Sequence, residues 1–160
     1  MKDIYIKLLE NYILMQEADV TGLFATLDSS LKEYENSINF LNDIKKYKKS
    51  YIKLNQIFLL YNKINENYNR KENPKLFSEK LIKLFTNEKI KNINYNIIKN
   101  LKEDLEKVKN RNKKKYLIKL ENYDKKFNNF LKMINNFIHQ YNEQFKVETP
   151  YEKIEIIEHF

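Results

Sequence analysis

Cysteine is missing from this 160-residue chain, and glycine and proline nearly so, with one and two copies. Without cysteine, neither a disulfide framework nor a thiolate metal site can form. Tight β-turns need glycine, proline and Asn-Gly or Asp-Gly corners, so their scarcity argues against an antiparallel sheet. The composition therefore predicts an all-α protein.

A long apolar run is also missing, because nowhere do about 18 apolar residues follow one another, as a membrane-spanning helix requires. The first residues, Met1 to Tyr5, mix charges and lack the uninterrupted apolar region of a signal peptide. We therefore expect no transmembrane segment and a cytoplasmic protein. The length suits one domain that buries about 68 to 70% of its unfolded surface.

Charge is abundant and is sorted along the chain into three blocks. Residues 1 to 44 hold 3 Lys against 8 Asp and Glu, residues 45 to 132 hold 25 Lys and Arg against 9, and residues 133 to 160 hold 2 against 5. The net charges are −5, +16 and −3. If the chain folds back near its middle, the acidic blocks meet at one end and the basic block forms the other.

Apolar residues recur at alternating spacings of three and four through two long stretches, which is typical of amphipathic helices. One arm covers 3–70 and another 88–146, and Asn73-Pro74 begins a short helix over 74–86 between them. The end of the second arm keeps the heptad spacing of a coiled-coil seam. The seam comprises Tyr116, Leu120, Tyr123, Phe127, Phe130, Ile134, Phe137 and Tyr141.

These segments predict one helical domain over 1–146 and a C-terminal tail over 147–160. Straight arms would form a long, coiled-coil-like antiparallel hairpin with the short helix at its turn, and paired residue numbers would sum to about 157 to 160. Bends would fold the same segments into a four- or five-helix bundle. Candidate bends are Thr21-Gly22, Asp28-Ser29-Ser30 with a Ser30 to Glu33 capping box, and Asn110-Arg111-Asn112.

The hairpin register places two lysine-rich segments beside each other, and we call them together the basic cluster. Like charges on adjoining helices disfavour folding by roughly a few tenths of a kcal/mol per pair, so an anionic partner would stabilise the arrangement. The alternative is a solvated face that keeps the helices soluble. The basic cluster comprises Lys45, Lys46, Lys48, Lys49, Lys53, Lys107, Lys109, Arg111, Lys113, Lys114 and Lys115.

The types of residue in the basic cluster limit which anionic partners it could bind. Reading of DNA bases relies on Arg, Asn and Gln, and the chain has only two arginines, which disfavours sequence-specific binding. Lysine suits phosphate contacts without sequence preference, and Tyr47, Tyr51 and Tyr116 interleave with the lysines as candidate base-stacking rings. All three lie on the apolar stripes, which favours core packing over stacking. An acidic protein surface fits the basic cluster equally well.

Four small residues, Ala18, Gly22, Ala25 and Ser29, follow a 4,3,4 spacing along one helix face and form a small-residue strip. The hairpin register puts them opposite Phe130, Ile134 and Phe137, so they are expected to admit large aromatic side chains. The alternative is that the strip stays open as a groove for a partner helix.

The tail differs from the rest of the chain, because Thr149-Pro150 ends the helical pattern. Acidic and apolar residues then alternate, which suits a short linear motif or an added strand. We expect the tail either to fold back or fray, or to dock elsewhere, for example on the basic cluster of a neighbouring copy. Its apolar motif residues are Ile154, Ile156, Ile157 and Phe160.

Motifs that carry chemistry are lacking. Neither His139 nor His159 has a Glu three residues before it, and the chain contains no His-Glu-x-x-His, no Gly-rich phosphate loop and no Gly-x-Ser-x-Gly. We therefore expect no catalytic residue, no metal site and no cofactor.

The sequence as a whole favours a non-catalytic helical assembly or adaptor protein that acts through protein–protein interaction. Its basic half would dock an acidic protein partner, and the chain would form homo-oligomers. One alternative is a sequence-nonspecific protein that binds the backbone of RNA or DNA through the same lysines. Another is an export or assembly chaperone that binds a partner helix on its apolar seams.

Overall fold

The computed structural model describes residues 23–68, 73–109, 111–145 and 149–160, and the chain over these residues is all-α, as predicted. A first helix, α1, is described over 23–37. It is followed by two short 3₁₀ turns, Asn39–Asp43 and Lys45–Tyr47. The remaining helices are α2 (Lys48–Asn67), α3 (Pro74–Phe85), α4 (Glu88–Lys107) and α5 (Lys113–Phe145). None of the helices in these ranges has the length and apolarity to cross a membrane.

The short helix α3 begins where the sequence predicts it. The Asn73 side chain accepts a hydrogen bond of 3.1 Å from the Leu76 backbone N–H, and Pro74 occupies the first helical position. Asn87 caps α4 in the same way through the Lys89 N–H at 3.0 Å. Two capping asparagines thus separate α3 and α4 from the segments before them.

The two long arms are broken. The 3₁₀ turns interrupt the first arm after residue 37, and extended backbone at Val108 ends α4 in the second. The predicted bend near residues 110–112 is therefore confirmed, whereas the one at Asp28-Ser29-Ser30 is wrong, because α1 continues through it. Leu27, Leu31 and Tyr34 remain buried along one face there, so core packing holds that segment helical. The bend at Thr21-Gly22 lies outside the described residues.

Helix α1 packs against α5 close to the expected register. The rings of Phe24 and Phe137 stack with centroids 5.1 Å apart, and Glu33 pairs with Lys126 at 3.3 Å. These residue numbers sum to 161 and 159. The antiparallel relation between the chain's early and late segments is thus present, although neither arm is one straight helix.

Helix α5 also packs against α3 and α4. All but one of the predicted seam residues are buried on its inward face, and the exception, Tyr116, is partly buried. The seam prediction is therefore confirmed. The buried members are Leu120, Tyr123, Phe127, Phe130, Ile134, Phe137 and Tyr141.

A polar group at the centre joins three helices. The fully buried Asn94 of α4 accepts hydrogen bonds from the hydroxyls of Tyr34 in α1 and Tyr123 in α5, the latter at 2.6 Å. Its amide donates to the Ile90 carbonyl at 2.8 Å. Burial raises the pKa of both tyrosines far above the usual value of 10.0, so each hydroxyl stays a neutral donor.

We predict that Asn94→Ala destabilises the protein by about 3 kcal/mol, because two buried hydroxyls lose their acceptor at about 1–3 kcal/mol each. The matched control is Asn96→Ala, an exposed asparagine on the same helix, which should change stability by less than about 0.5 kcal/mol. Urea unfolding monitored by circular dichroism measures both. Equal stabilities of the two variants would contradict a structural role for Asn94.

Candidate protein-docking surfaces

The basic cluster comes from two separate parts of the fold. Its first half lies in the second 3₁₀ turn and the start of α2, and its second half lies from the end of α4 to the start of α5. All of its side chains are exposed except Lys113, which is partly buried. The turn and the α4–α5 junction meet at Asp104, so the structure brings the two halves together there.

Asp104 fixes this junction by binding two residues of the turn. Its Oδ2 atom lies 2.7 Å from the Lys46 Nζ and accepts a hydrogen bond of 2.8 Å from the Tyr47 hydroxyl. The Lys46 ammonium, followed by the Tyr47 hydroxyl, holds the pKa of Asp104 below its usual value of 3.8. Burial and the nearby carboxylate raise the pKa of Tyr47, so its hydroxyl remains the donor.

A small cavity of about 210 Å³ opens beside this contact. Lys46 and Lys113, one from each half of the basic cluster, line it together with Asp104. Most of its remaining wall is apolar, so the cavity has an apolar floor and lysine side chains at its rim. The apolar and aromatic lining comprises Ile44, Tyr47, Leu101, Leu105, Val108 and Tyr116.

The three tyrosines among these lysines are engaged within the protein. Tyr47 is 5% exposed, and Tyr116 stacks on the ring of Phe40 with centroids 6.4 Å apart. Tyr51 is partly buried and donates a hydrogen bond of 3.3 Å to Asn39. These contacts agree with the packing interpretation rather than with open stacking surfaces.

The described half of the small-residue strip, Ala25 and Ser29, is exposed and does not pack into the core. The expected packing of this half against Phe130, Ile134 and Phe137 is therefore wrong, because the neighbouring Phe24 fills that position and stacks on Phe137. Ala25 and Ser29 instead line an open groove of about 540 Å³ between α1 and α5. Ala18 and Gly22 lie outside the described residues.

The tail folds back along α5 in an extended conformation, and we call the channel between α4 and α5 that holds it the tail groove. Asn142 and Asn135 each form two hydrogen bonds with one tail residue, by donating to its C=O and accepting from its N–H. The distances are 2.9 and 3.0 Å at Tyr151, and 3.0 and 2.7 Å at Ile154. At Ile157, the Asn128 amide binds the C=O at 3.1 Å and the Tyr95 hydroxyl accepts the N–H at 2.9 Å.

The last two residues are held by charged groups. The buried Asp124 accepts the His159 backbone N–H at 3.1 Å and lies 3.0 Å from the His159 ring nitrogen Nδ1. Lys102 donates to the His159 carbonyl, and its Nζ sits 4.5 Å from the centre of the Phe160 ring. The His159-Phe160 segment is thus contacted by one acidic and one basic side chain, Asp124 and Lys102.

Two features of this site were missed in the sequence. The main chain of the tail is bound at every third residue, at Tyr151, Ile154 and Ile157, whereas the sequence suggested an alternation with period two. Asparagines 128, 135 and 142 recur at heptad spacing beside the apolar seam. Of the tail motif residues, Ile154 and Ile156 are partly buried, whereas Ile157 and Phe160 are 44% and 43% exposed.

The described residues contain no group of three or more His, Asp or Glu side chains that could hold a metal ion. His139 lies on the surface beside Glu143, with 3.2 Å between Nε2 and Oε1, while His159 lies in the tail groove. The two histidines therefore belong to different sites.

We predict that Asp104→Asn lowers stability at pH 7 by less than about 1 kcal/mol, because the Asp104 side chain is 38% exposed and solvent screens its pair with Lys46. Since folding lowers the pKa of Asp104, its contribution is present above pH 3.8 and is lost as the pH falls through the lower folded value. Urea unfolding at pH 7, 5 and 3 should therefore show the variant and the wild type converging in acid. Exposed Glu103→Gln is the control, and a constant gap for Asp104→Asn would refute the pairing.

We also predict that Ser29→Leu leaves the free energy of unfolding within about 0.5 kcal/mol of wild type, because the side chain points into an open groove. The comparison is Leu27→Ala on the same helix, where a fully buried side chain is removed at a cost of about 2–5 kcal/mol. Thermal unfolding measures both. A large loss from Ser29→Leu would indicate that the groove is closed.

No protein family model, curated protein or solved structure matches this chain.

Proposed function

We propose that this chain is a non-catalytic helical assembly or adaptor protein whose basic cluster docks an acidic protein partner. The observation that carries the proposal is the cavity at the α4–α5 junction, where Lys46 and Lys113 border an apolar floor. A partner segment with acidic residues around one apolar side chain complements such a surface in both charge and shape.

The surrounding charge supports this assignment. Within the basic cluster, Asp104 balances Lys46, and most of the other cations are exposed to solvent. Exposed lysines on two converging segments steer an acidic partner toward the cavity, and an apolar anchor then supplies the contact that resists salt. On another face of the molecule, α5 already binds one acidic and apolar segment, the chain's own tail.

The same surface suits nucleic acid less well. Single-strand binding relies on aromatic rings with open faces, whereas Tyr47 is buried and Tyr116 stacks on Phe40. The bidentate contacts that read bases need arginine, and this cluster has only Arg111. Binding of a phosphate backbone by lysine alone is the remaining mode, and it has a distinctive salt dependence.

An export or assembly chaperone, which would bind a partner helix on its own apolar seam, has less support, because the α5 seam is buried inside the protein. The non-catalytic role is inferred from the sequence, which contains no His-Glu-x-x-His, no Gly-rich phosphate loop and no Gly-x-Ser-x-Gly.

The test compares binding of three fluorescent probes to the full chain at about 50 and 200 mM salt. The probes are a glutamate-rich peptide with one central leucine, a mixed-sequence RNA and a DNA duplex. We expect the peptide to bind and the substitution of Lys113, Lys114 and Lys115 by Gln to weaken it roughly tenfold, at about 0.2–1 kcal/mol per charge. The control replaces exposed Lys63, Lys83 and Lys89, which removes the same charge elsewhere.

Equal weakening in both triple variants would contradict a specific docking surface and indicate a general charge effect. Binding of RNA or DNA that falls about 10³-fold between the two salt concentrations, and that depends on Lys113 to Lys115, would overturn the proposal in favour of nucleic acid.

A further inference from the structure

The tail groove has the construction of a peptide-binding site. Seven residues of α5 advance about 10.5 Å, and three residues of an extended chain advance about 10 Å. Asparagines 128, 135 and 142, two helical turns apart, therefore meet every third tail residue, at 157, 154 and 151. This match lets three side chains of one helix face bind the main chain of an extended segment at every third residue.

The contacts in the groove are of a kind that can be released and remade. The asparagines bind N–H and C=O groups of the main chain, which any extended segment offers. No residue over 149–160 is buried, although Tyr151, Ile154 and Ile156 pack partly against the core. The tail thus lies on a finished helical surface rather than completing the core.

One contact does select a particular sequence. Asp124 is 4% exposed, and its two oxygens face the backbone and ring nitrogens of His159. A departing tail would take these partners from Asp124, and a second segment with the same His-Phe residues would restore them. Every copy of the chain carries such a segment.

The tail reaches its own groove only by reversing direction. Helix α5 ends at Phe145, and Tyr151 already pairs with Asn142 in the antiparallel sense, so five residues of sequence separate the two. A connection of only a few residues favours exchange of the following segment between copies, because exchange keeps every contact of the groove.

We propose that the tail groove also receives the C-terminal tail of a second copy, so that the tail joins protomers by exchange. This inference deepens the assembly role proposed above but uses the α4–α5 face instead of the basic cluster. The two can therefore fail independently.

The first test adds a labelled peptide with the sequence of residues 149–160 to full-length variants and follows its anisotropy. In wild type the attached tail competes at an effective concentration on the order of millimolar, so binding is weak. Ile154→Pro removes the N–H that Asn135 accepts, weakens the attached tail, and should tighten peptide binding at least tenfold. The control is Glu155→Pro, at an exposed position, which should behave like wild type.

Adding Asn135→Ala to Ile154→Pro should abolish the gain, whereas Asn136→Ala, at an exposed neighbour on the same helix, should preserve it. Circular dichroism of each variant verifies that the helices remain. If Ile154→Pro binds the peptide no better than Glu155→Pro does, the tail is only an intramolecular strap and the proposal is wrong.

The second test mixes two complementary full-length variants. Ile154→Pro keeps a working groove, and Asn135→Ala keeps a working tail, so only the mixture contains an intact pair. Native mass spectrometry after incubation at about 1 mM should find heterodimers in the mixture at several times the dimer level of either variant alone. A mixture as monomeric as its components would overturn exchange between copies. The Lys113, Lys114 and Lys115 to Gln variant should leave the peptide binding unchanged, which separates this result from failure of the basic cluster.

Discussion

A buried tyrosine hydroxyl must find an acceptor, and this requirement connects most of the elements of the fold. Tyr61 in α2 donates to Asp28 in α1, and Tyr141 in α5 donates to Glu79 in α3. The turn is joined to α4 through Tyr47 and Asp104, and Asn94 receives hydroxyls from α1 and α5. Each bond links two elements, and an unmade one would cost about 1–3 kcal/mol, so the hydroxyls specify which helices are neighbours where apolar packing alone would allow several arrangements.

Asparagine side chains are the second group of residues on which this hydrogen bonding depends. The side chain offers both a donor and an acceptor, so Asn94 can satisfy two hydroxyls and a carbonyl at once. The same property lets Asn135 bind both main-chain groups of Ile154. The abundance of Asn and Tyr, 23 and 12 in 160 residues, is thus used in two settings, one inside the core and one on its surface.

Helical periodicity was enough to predict the fold class, the short helix at Pro74 and the buried seam of α5, because these depend on residues close in sequence. The break after residue 37 was not predicted, since the apolar stripe continues through Leu41, Ile44 and Tyr47. The role of the turn is apparent only from the structure, where Tyr47 binds Asp104 of α4. For the described half of the small-residue strip, core packing was the first expectation and an open groove the alternative, and the groove is observed because Phe24 occupies the space beside Phe137.

The tail groove shows a different limit of sequence reasoning. An asparagine on a helix surface carries no signal of its own, and the three-residue period of the tail becomes meaningful only when the two-turn spacing on α5 is placed beside it. Neither segment predicts the other, because the match is between a helix and an extended chain whose repeats differ. The pairing of these asparagines with the main chain of the tail becomes apparent only in the folded chain, where the tail lies along α5.

Because both the asparagines of α5 and the residues of the tail repeat, the tail groove offers more than one pairing register. If the tail slid by three residues, Ile154, Ile157 and Phe160 would stand opposite Asn142, Asn135 and Asn128, and the ladder of main-chain bonds would still be available. What distinguishes the two settings is His159, because sliding would move its backbone and ring nitrogens away from the buried Asp124. Asp124 therefore sets the register of the tail, and the position of His159 along the repeat decides which of the equivalent settings is occupied.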